Sequence, residues 1–137
     1  MSTQAAAKTR KGNTKAVSNI IWFEIPADKP ERARKFYSAL FGWKINKFPG
    51  MADYWHIDTG GPDATPDGGM MARKCPEQAI TNYVRVDSVD KSSAKVLKLG
   101  GKICMGKTPV PEMGYFVVCQ DTEGNTFALW EINRGAK

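Results

Sequence analysis

The sequence predicts an α+β fold in which two βαβββ modules follow one another in one chain. Two observations support this prediction. The order strand, helix and three strands occurs twice, and stretches of the first half return at an offset of about sixty residues. Gly42-Trp43-Lys44-Ile45 is echoed by Gly100-Gly101-Lys102-Ile103, and residues 48–55 are echoed by residues 110–116. Such a repeat indicates duplication of one supersecondary unit, the alternative being a chance likeness of two α+β halves.

The first module is expected to begin with a strand and a helix. Residues 19–25 are rich in β-branched and aromatic residues, which is typical of a strand. Asp28 is the predicted helix N-cap, and Pro30 and Glu31 suit the first helical turn. Gly42 is expected to end the helix. The apolar stripe between them consists of Ala33, Phe36, Tyr37, Leu40 and Phe41.

Short strands complete the first module and recur in the second. Those of the first module are predicted at Trp43–Phe48, Tyr54–Asp58 and Gly68–Ala72, separated by turn-rich connectors. The second module is predicted to open with a strand at Thr81–Val86 and a helix that starts at Ser88 or Asp90 and ends at Gly100-Gly101. Its remaining strands are predicted at Lys102–Met105, Tyr115–Gln120 and Thr126–Glu131.

Strand alternation assigns each side chain to one of two faces of its sheet. The face expected under the helices carries Ile21, Phe23, Ile25, Asn82, Val84, Val86, Phe127 and Leu129. The opposite face mixes aromatic and polar side chains, as the wall of a small-molecule site does. Its predicted members are Trp22, Glu24, Tyr54, His56, Thr81, Tyr83, Arg85, Tyr115, Val117, Ala128 and Trp130.

Composition and charge exclude several classes of protein. The 137 residues are 42% hydrophobic and 25% charged, and no apolar run is long enough to span a membrane. Much of the net charge of +6 comes from residues 1–18, which we expect to form a disordered basic tail, with a weak organelle-targeting peptide as the alternative. The remainder is nearly neutral, so no nucleic-acid partner is expected. The folded domain is predicted at 19–132, with modules at about 19–74 and 79–132, and a C-terminal tail at 133–137.

The cysteines bear on the cellular compartment. Cys75, Cys104 and Cys119 form an odd count without a Cys-x-x-Cys pair. Reduced thiols in a cytoplasmic protein are the expectation, and a zinc site is not.

The residues that open each module resemble a known superfamily. Residues 21–37, from Ile-Trp-Phe-Glu-Ile-Pro to Lys-Phe-Tyr, followed by Leu-Phe-Gly-Trp, resemble the start of vicinal oxygen chelate proteins. That superfamily groups glyoxalase I, bleomycin resistance proteins and extradiol dioxygenases. Residues 83–87 and 121–125 resemble the corresponding parts of its second module. The resemblance implies sheets that curve into an open, cup-shaped mixed sheet, and a homodimer.

The resemblance also implies where metal-dependent members hold their ligands. Those positions fall at Trp22, Thr81 and Ala128, with the fourth near Met70 or Met71. None of these side chains is a good ligand for a catalytic divalent ion, so no metal and no cofactor are expected. His56, Glu24 and Glu131 are the residues from which a displaced site would have to be assembled.

These expectations favour a metal-free protein that binds a small aromatic or anionic molecule in its cup, with neither nucleic acid nor membrane as a partner. The predicted ligand-binding residues are Trp22, Glu24, Tyr54, His56, Tyr83, Arg85, Tyr115 and Trp130. Arg85 is the basis for the anionic ligand, because its guanidinium can hold a carboxylate through two hydrogen bonds. One alternative is a glyoxalase-type lyase or isomerase with displaced ligands or metal. The other is a dimeric interaction protein without a ligand.

Overall fold

Two βαβββ modules are present, as the repeated pattern predicts. The computed structural model describes residues 17–50, 53–63 and 65–137. One compact unit contains Ile21–Ile80, and the other contains Thr81–Lys137 with residues 17–20. Of the predicted basic tail, residues 1–16 lie outside the described residues.

Module 1 follows the predicted order of elements. Its helix, α1, spans Pro30–Phe41. Its strands are β1 (Ile20–Ala27), β2 (Lys44–Lys47), β3 (Tyr54–Asp58) and β4 (Asp67–Ala72). Strand β1 pairs in parallel with β4, and β4–β3 and β3–β2 are antiparallel pairs. The module is therefore a mixed sheet with the order β2-β3-β4-β1.

Module 2 repeats this topology. Its helix, α2, spans Val89–Lys98. Its strands are β5 (Thr81–Arg85), β6 (Lys102–Val110), β7 (Gly114–Gln120) and β8 (Thr126–Ile132). Strand β5 pairs in parallel with β8, and β8–β7 and β7–β6 are antiparallel pairs. Strand β6 is longer than predicted and contains two register shifts.

Each core lies between one face of the sheet and its helix. In module 1, Ala33 and Tyr37 of α1 pack against a buried cluster formed by Ile25, Ala27, Ile45, Trp55, Ile57 and Met70. Phe23 also packs there, as its position in the alternation predicts. In module 2, Val96 of α2 packs against the buried cluster Val89, Val117, Cys119 and Leu129.

The two helices begin differently. Ser88 caps α2 by accepting a hydrogen bond from the backbone N–H of Lys91 at 3.1 Å, which confirms one of the two predicted starts. The prediction that Asp28 caps α1 is wrong. Strand β1 continues to Ala27 and the helix begins at Pro30, so the N-cap position falls on Lys29, which makes no side-chain cap bond. Asp28 instead accepts a hydrogen bond from Arg73.

The predicted apolar stripe of α1 is only partly buried. Ala33 and Tyr37 face the core, whereas Phe36, Leu40 and Phe41 are 57–59% exposed. The apolar stripe is therefore wider than the surface through which α1 contacts the core.

Residues 133–137, predicted as a tail, pack against the turn between β6 and β7. Ala136 is buried, and its carbonyl oxygen accepts a hydrogen bond from the Glu112 backbone at 2.9 Å. Among the residues that the structure describes, no helix is long and apolar enough to cross a membrane.

Met70 and Met71 test the assignment of faces in strand β4. Met70 is fully buried in the core, whereas Met71 is half-buried on the other side of the sheet. Met70→Ala is expected to lower the free energy of unfolding by about 2–5 kcal/mol, because it leaves a cavity in the core. Met71→Ala is the matched control. It should lower the free energy of unfolding by less than half as much, as measured by urea denaturation. Equal costs would contradict the assignment.

Candidate functional site

The sheet face opposite α1, called the open face of module 1 below, gathers four predicted site residues. Trp22 and Glu24 alternate with core residues along β1, and Tyr54 and His56 do so along β3. Strand β4 lies between β1 and β3, and its residue Gly69 is paired with both Glu24 and His56. The pairing places all four side chains on one surface, as the alternation predicts.

A hydrogen-bond chain joins three of these residues across β4. The Tyr54 hydroxyl donates to Glu24 Oε2 at 2.8 Å and accepts from the Trp22 indole N–H at 3.1 Å. Burial of the phenol and the nearby Glu24 carboxylate, in that order, raise the pKa of Tyr54 above its ordinary value. The phenol therefore stays neutral at physiological pH and holds the Trp22 and Glu24 side chains in fixed orientations.

His56 is also held in place, by a residue that sequence reasoning missed. Its Nε2 lies 3.2 Å from Asp67 Oδ2, and the other Asp67 oxygen accepts from the backbone N–H of Thr59 at 3.2 Å. The imidazole stacks on the Trp22 ring at 5.8 Å between centroids and an angle of 15°. Asp67 escaped notice because the strand was predicted to begin one residue later, at Gly68.

Phe48 is a second missed residue on this surface. Its ring meets Tyr54 and His56 edge-on, with centroid distances of 5.8 and 6.0 Å. It follows β2 directly. The sequence predicts it only as the last residue of the strand Trp43–Phe48, with no role in a site. The open face of module 1 thus combines three aromatic rings and a histidine with two carboxylates.

Gly69 is the residue that lets Tyr54 reach Glu24. A Cβ on Gly69 would overlap the Tyr54 hydroxyl and the ring carbons beside it. Because glycine has no side chain, the phenol can lie across β4 instead of being displaced from it. The sequence alone does not link Gly68 and Gly69 to Tyr54, because their spacing matches no known site motif.

Module 2 has its own open face, opposite α2. Tyr83 is buried there and meets Phe116 edge-on at 6.2 Å. Trp130 is half-buried and is paired with Phe116 on β7 and with Arg85 on β5. The Arg85 side chain is exposed.

The prediction that Tyr115 and Val117 share this face is wrong. Both pack in the module 2 core with Leu129, and the Lys107 ammonium lies 4.4 Å from the Tyr115 ring centroid. Phe116 and Val118 take the open face, since they are paired with Trp130 and Ala128. Residues 115–118 are all apolar, so alternation in hydrophobicity cannot tell which residues point to which side.

The side chains do not fit a catalytic divalent ion. His56 and Glu24 share the open face of module 1, but the Glu131 carboxylate accepts from the backbone N–H of Val89 at 2.9 Å, at the start of α2. Within residues 17–50, 53–63 and 65–137, no three His, Cys, Asp or Glu side chains come close enough to hold a metal. The resemblance to metal-dependent members would place ligands at Trp22, Thr81 and Ala128, whose side chains are poor ligands for such an ion.

Comparisons with known proteins place this chain in a family. Residues 19–60 match the family model described as bleomycin resistance protein-like N-terminal. A glyoxylase-like domain-containing protein of Didymella fabae is 36% identical over 118 residues, which cover 77% of this chain and 88% of that protein. CFP32 of Mycobacterium tuberculosis, provisionally named a glyoxylase, is 30% identical over 118 residues, covering 82% of this chain but only 45% of CFP32.

A solved structure agrees with these matches. A glyoxalase/bleomycin resistance protein/dioxygenase superfamily member from Vibrio splendidus 12B01 superposes with a TM-score of 0.60 at 10% identity, covering 85% of this chain and 100% of that one. At this identity the likeness concerns the fold alone. The sequence relatives show that the chain belongs to the glyoxylase-like, bleomycin resistance protein-like family.

Gly69→Ala tests whether the missing side chain holds the open face together. The substitution is expected to lower the free energy of unfolding by about 1–3 kcal/mol, because the new methyl group overpacks against Tyr54. Gly106→Ala is the matched strand control, since its Cβ would meet nothing within 4 Å, and it should be nearly neutral. Both changes are measured by urea denaturation.

A double-mutant cycle identifies the cause of that loss. In a Tyr54→Ala background, Gly69→Ala should cost clearly less than in the unmodified chain, because the overlapping phenol is gone. The same cost in both backgrounds would show that Tyr54 does not depend on Gly69.

Proposed function

We propose that this protein binds a small aromatic molecule on the open face of module 1, without a metal ion. The observation that carries the proposal is the chain of hydrogen bonds from Trp22 through Tyr54 to Glu24. It holds an indole ring and a carboxylate in place before any ligand arrives, which lowers the cost of ordering them on binding. Apolar rings with a few oriented polar groups are the usual composition of such sites.

The charge of this face favours a ligand with a cationic group or hydrogen-bond donors. Glu24 and Asp67 bring two carboxylates to this surface beside His56. The strand register adds Lys44 and Asp58 at its β2–β3 edge. An anion placed here would face like charges. Arg85, on which the expectation of an anionic ligand was based, belongs to module 2 and is exposed there. We propose Tyr83, Arg85 and Trp130 as ligand contacts on the open face of module 2.

The remaining proposals concern the assembly and its location. We propose a homodimer, in which a second copy covers apolar side chains such as Leu40 and Phe41, both more than half exposed. We propose a cytoplasmic location, which is supported by three unpaired thiols at Cys75, Cys104 and Cys119.

The His56–Asp67 pair favours a second candidate function, a metal-free lyase or isomerase. A carboxylate that orients an imidazole, as Asp67 does with His56, is a common arrangement for proton transfer. The names of the glyoxylase-like relatives point the same way. The two functions differ in outcome: a binding protein releases its aromatic ligand unchanged, whereas an enzyme releases an altered product.

A matched series of indoles tests the binding function. Tryptamine, 3-methylindole and indole-3-acetate share one ring and differ in charge, and each is titrated into ¹⁵N-labelled protein. Saturable shifts of the Trp22 indole N–H signal are expected, with affinity falling from the cation to the anion. Glu24→Gln should lower the affinity for tryptamine about 10-fold or more, because a charge-assisted hydrogen bond contributes roughly 1.5–3 kcal/mol. It should leave 3-methylindole unaffected.

Glu112→Gln, an exposed acid in module 2, is the control for a general effect of charge. The proposal fails if none of the three indoles moves the Trp22 signal. It fails equally if Trp22→Ala leaves tryptamine binding unchanged.

Metal analysis tests the other half of the proposal. Protein purified without chelator is expected to contain far less than one zinc, nickel, manganese or iron ion per chain, because no three His, Cys, Asp or Glu side chains of the described residues are grouped so that they could hold an ion. Adding Mn²⁺ or Ni²⁺ should leave the melting temperature unchanged, since a ligand that does not bind the native state cannot stabilise it. Near-stoichiometric metal in elemental analysis would overturn this prediction.

A further inference from the structure

A cavity of about 350 Å³ lies on the helix side of module 1, where β1 ends and α1 begins. It is lined by Ile25 and Ala27 of the core-facing side of β1 and by Ala33 and Tyr37 of α1. Its walls are therefore distinct from the open face, whose residues Trp22 and Glu24 point to the other side of the sheet. The volume is within the range of small-molecule sites.

Basic side chains dominate the charge of this cavity. Three cations, Lys29, Arg32 and Arg73, line it together with a single acid, Asp28. Arg73 already binds that acid, since its Nε donates to Asp28 Oδ1 at 3.0 Å, and its terminal nitrogens donate to the backbone oxygens of Gln78 and Pro26. The one negative charge is therefore neutralised within the cavity.

Lys29 and Arg32 are the cations left without a counter-charge. In the described part of the chain, neither side chain makes a hydrogen bond or an ion pair. By contrast, the neighbouring Arg34 pairs with Glu31 at 2.9 Å. Two unpaired cations at the mouth of one cavity can bind a carboxylate, a sulfonate or a phosphate with charge-assisted hydrogen bonds.

The rest of the lining is apolar. Phe36 lies at the rim with 59% of its surface exposed, and its ring meets the Tyr37 ring edge-on at 5.3 Å. The buried Ile25 and the half-buried Ala33 line the cavity as well. The cavity therefore presents cations beside an aromatic and aliphatic surface, and this combination suits a molecule with an anionic head and an apolar body.

We propose that this cavity is a second small-molecule site, which takes an amphipathic organic anion through Lys29 and Arg32 at its head and Phe36 along its apolar body. The site is separate from the proposed open-face site and of opposite charge preference. The two sites can therefore be occupied at the same time, and each can be tested without the other.

The test uses 4-phenylbutyrate, with 4-phenylbutan-1-ol as its uncharged match, titrated into ¹⁵N-labelled full-length protein. The carboxylate is expected to cause saturable shifts of the backbone amide signals of Lys29, Arg32 and Phe36. It should bind at least about tenfold more tightly than the alcohol, because a tenfold difference corresponds to a single modest ionic contact.

Matched variants assign the contacts. The double variant Lys29→Gln/Arg32→Gln should lose about tenfold or more in affinity for the carboxylate and little for the alcohol. Lys35→Gln/Lys44→Gln removes the same charge from exposed positions that do not line the cavity, and should change neither affinity. Phe36→Ala should weaken the binding of both ligands, whereas Leu40→Ala, at nearly the same exposure on the same helix, should weaken neither.

The proposal is overturned if 4-phenylbutyrate gives no saturable shift at these amides, or if the alcohol binds as tightly. It is also overturned if the control double variant weakens binding as much as Lys29→Gln/Arg32→Gln. If 4-phenylbutyrate moves the Trp22 indole signal but not the Arg32 amide, the anion binds the open face and the cavity is not its site. Failure of tryptamine to bind leaves these outcomes unaffected.

Discussion

The pair of glycines in the middle of β4 is the constraint on which both faces of module 1 depend. Consecutive strand residues point to opposite sides, so Gly68 and Gly69 leave one gap on each face. A Cβ on Gly68 would lie 2.5 Å from the Phe23 ring, and one on Gly69 would overlap Tyr54. The first gap lets Phe23 pack towards the core under α1, and the second lets Tyr54 cross to Glu24. Side chains at either position would force apart the residues that form the core and the open face.

The two sides of the module 1 sheet differ in charge. On the open face, the Glu24 carboxylate accepts a hydrogen bond from the Tyr54 hydroxyl, and the Asp67 carboxylate contacts the Thr59 backbone N–H and the His56 ring. In the cavity on the helix side, the one acid of the lining is bound by Arg73, and Lys29 and Arg32 have no partner among the described residues. A thin sheet can thus separate an acidic surface from a basic cavity.

The two modules have the same topology, but the side chains on their open faces differ. Module 2 repeats the strand order and the helix position, yet its open face holds the apolar Phe116 and the small Ala128 where a site would need polar groups. The Glu131 carboxylate, a candidate ligand in sequence, is used at the start of α2. A duplication preserves the backbone because the core pattern is repeated, whereas the side chains opposite the core are free to diverge. Among the described residues, the Trp22–Tyr54–Glu24 chain and the His56–Asp67 pair both belong to module 1.

The amino-acid sequence by itself determined the α+β class, the two βαβββ modules and the open-face positions of Trp22, Glu24, Tyr54 and His56. These features follow from local periodicity, and alternation is unambiguous where polar and apolar residues alternate. Tertiary structure alone decided which of Tyr115 and Phe116 faces the core, because a uniformly apolar strand contains no information about its parity until it pairs with its neighbours. It also decided the partnership of His56 with Asp67 and that of Asp28 with Arg73, residues 45 positions apart. Contacts between strands depend on register, and register is set by the packing of the whole sheet.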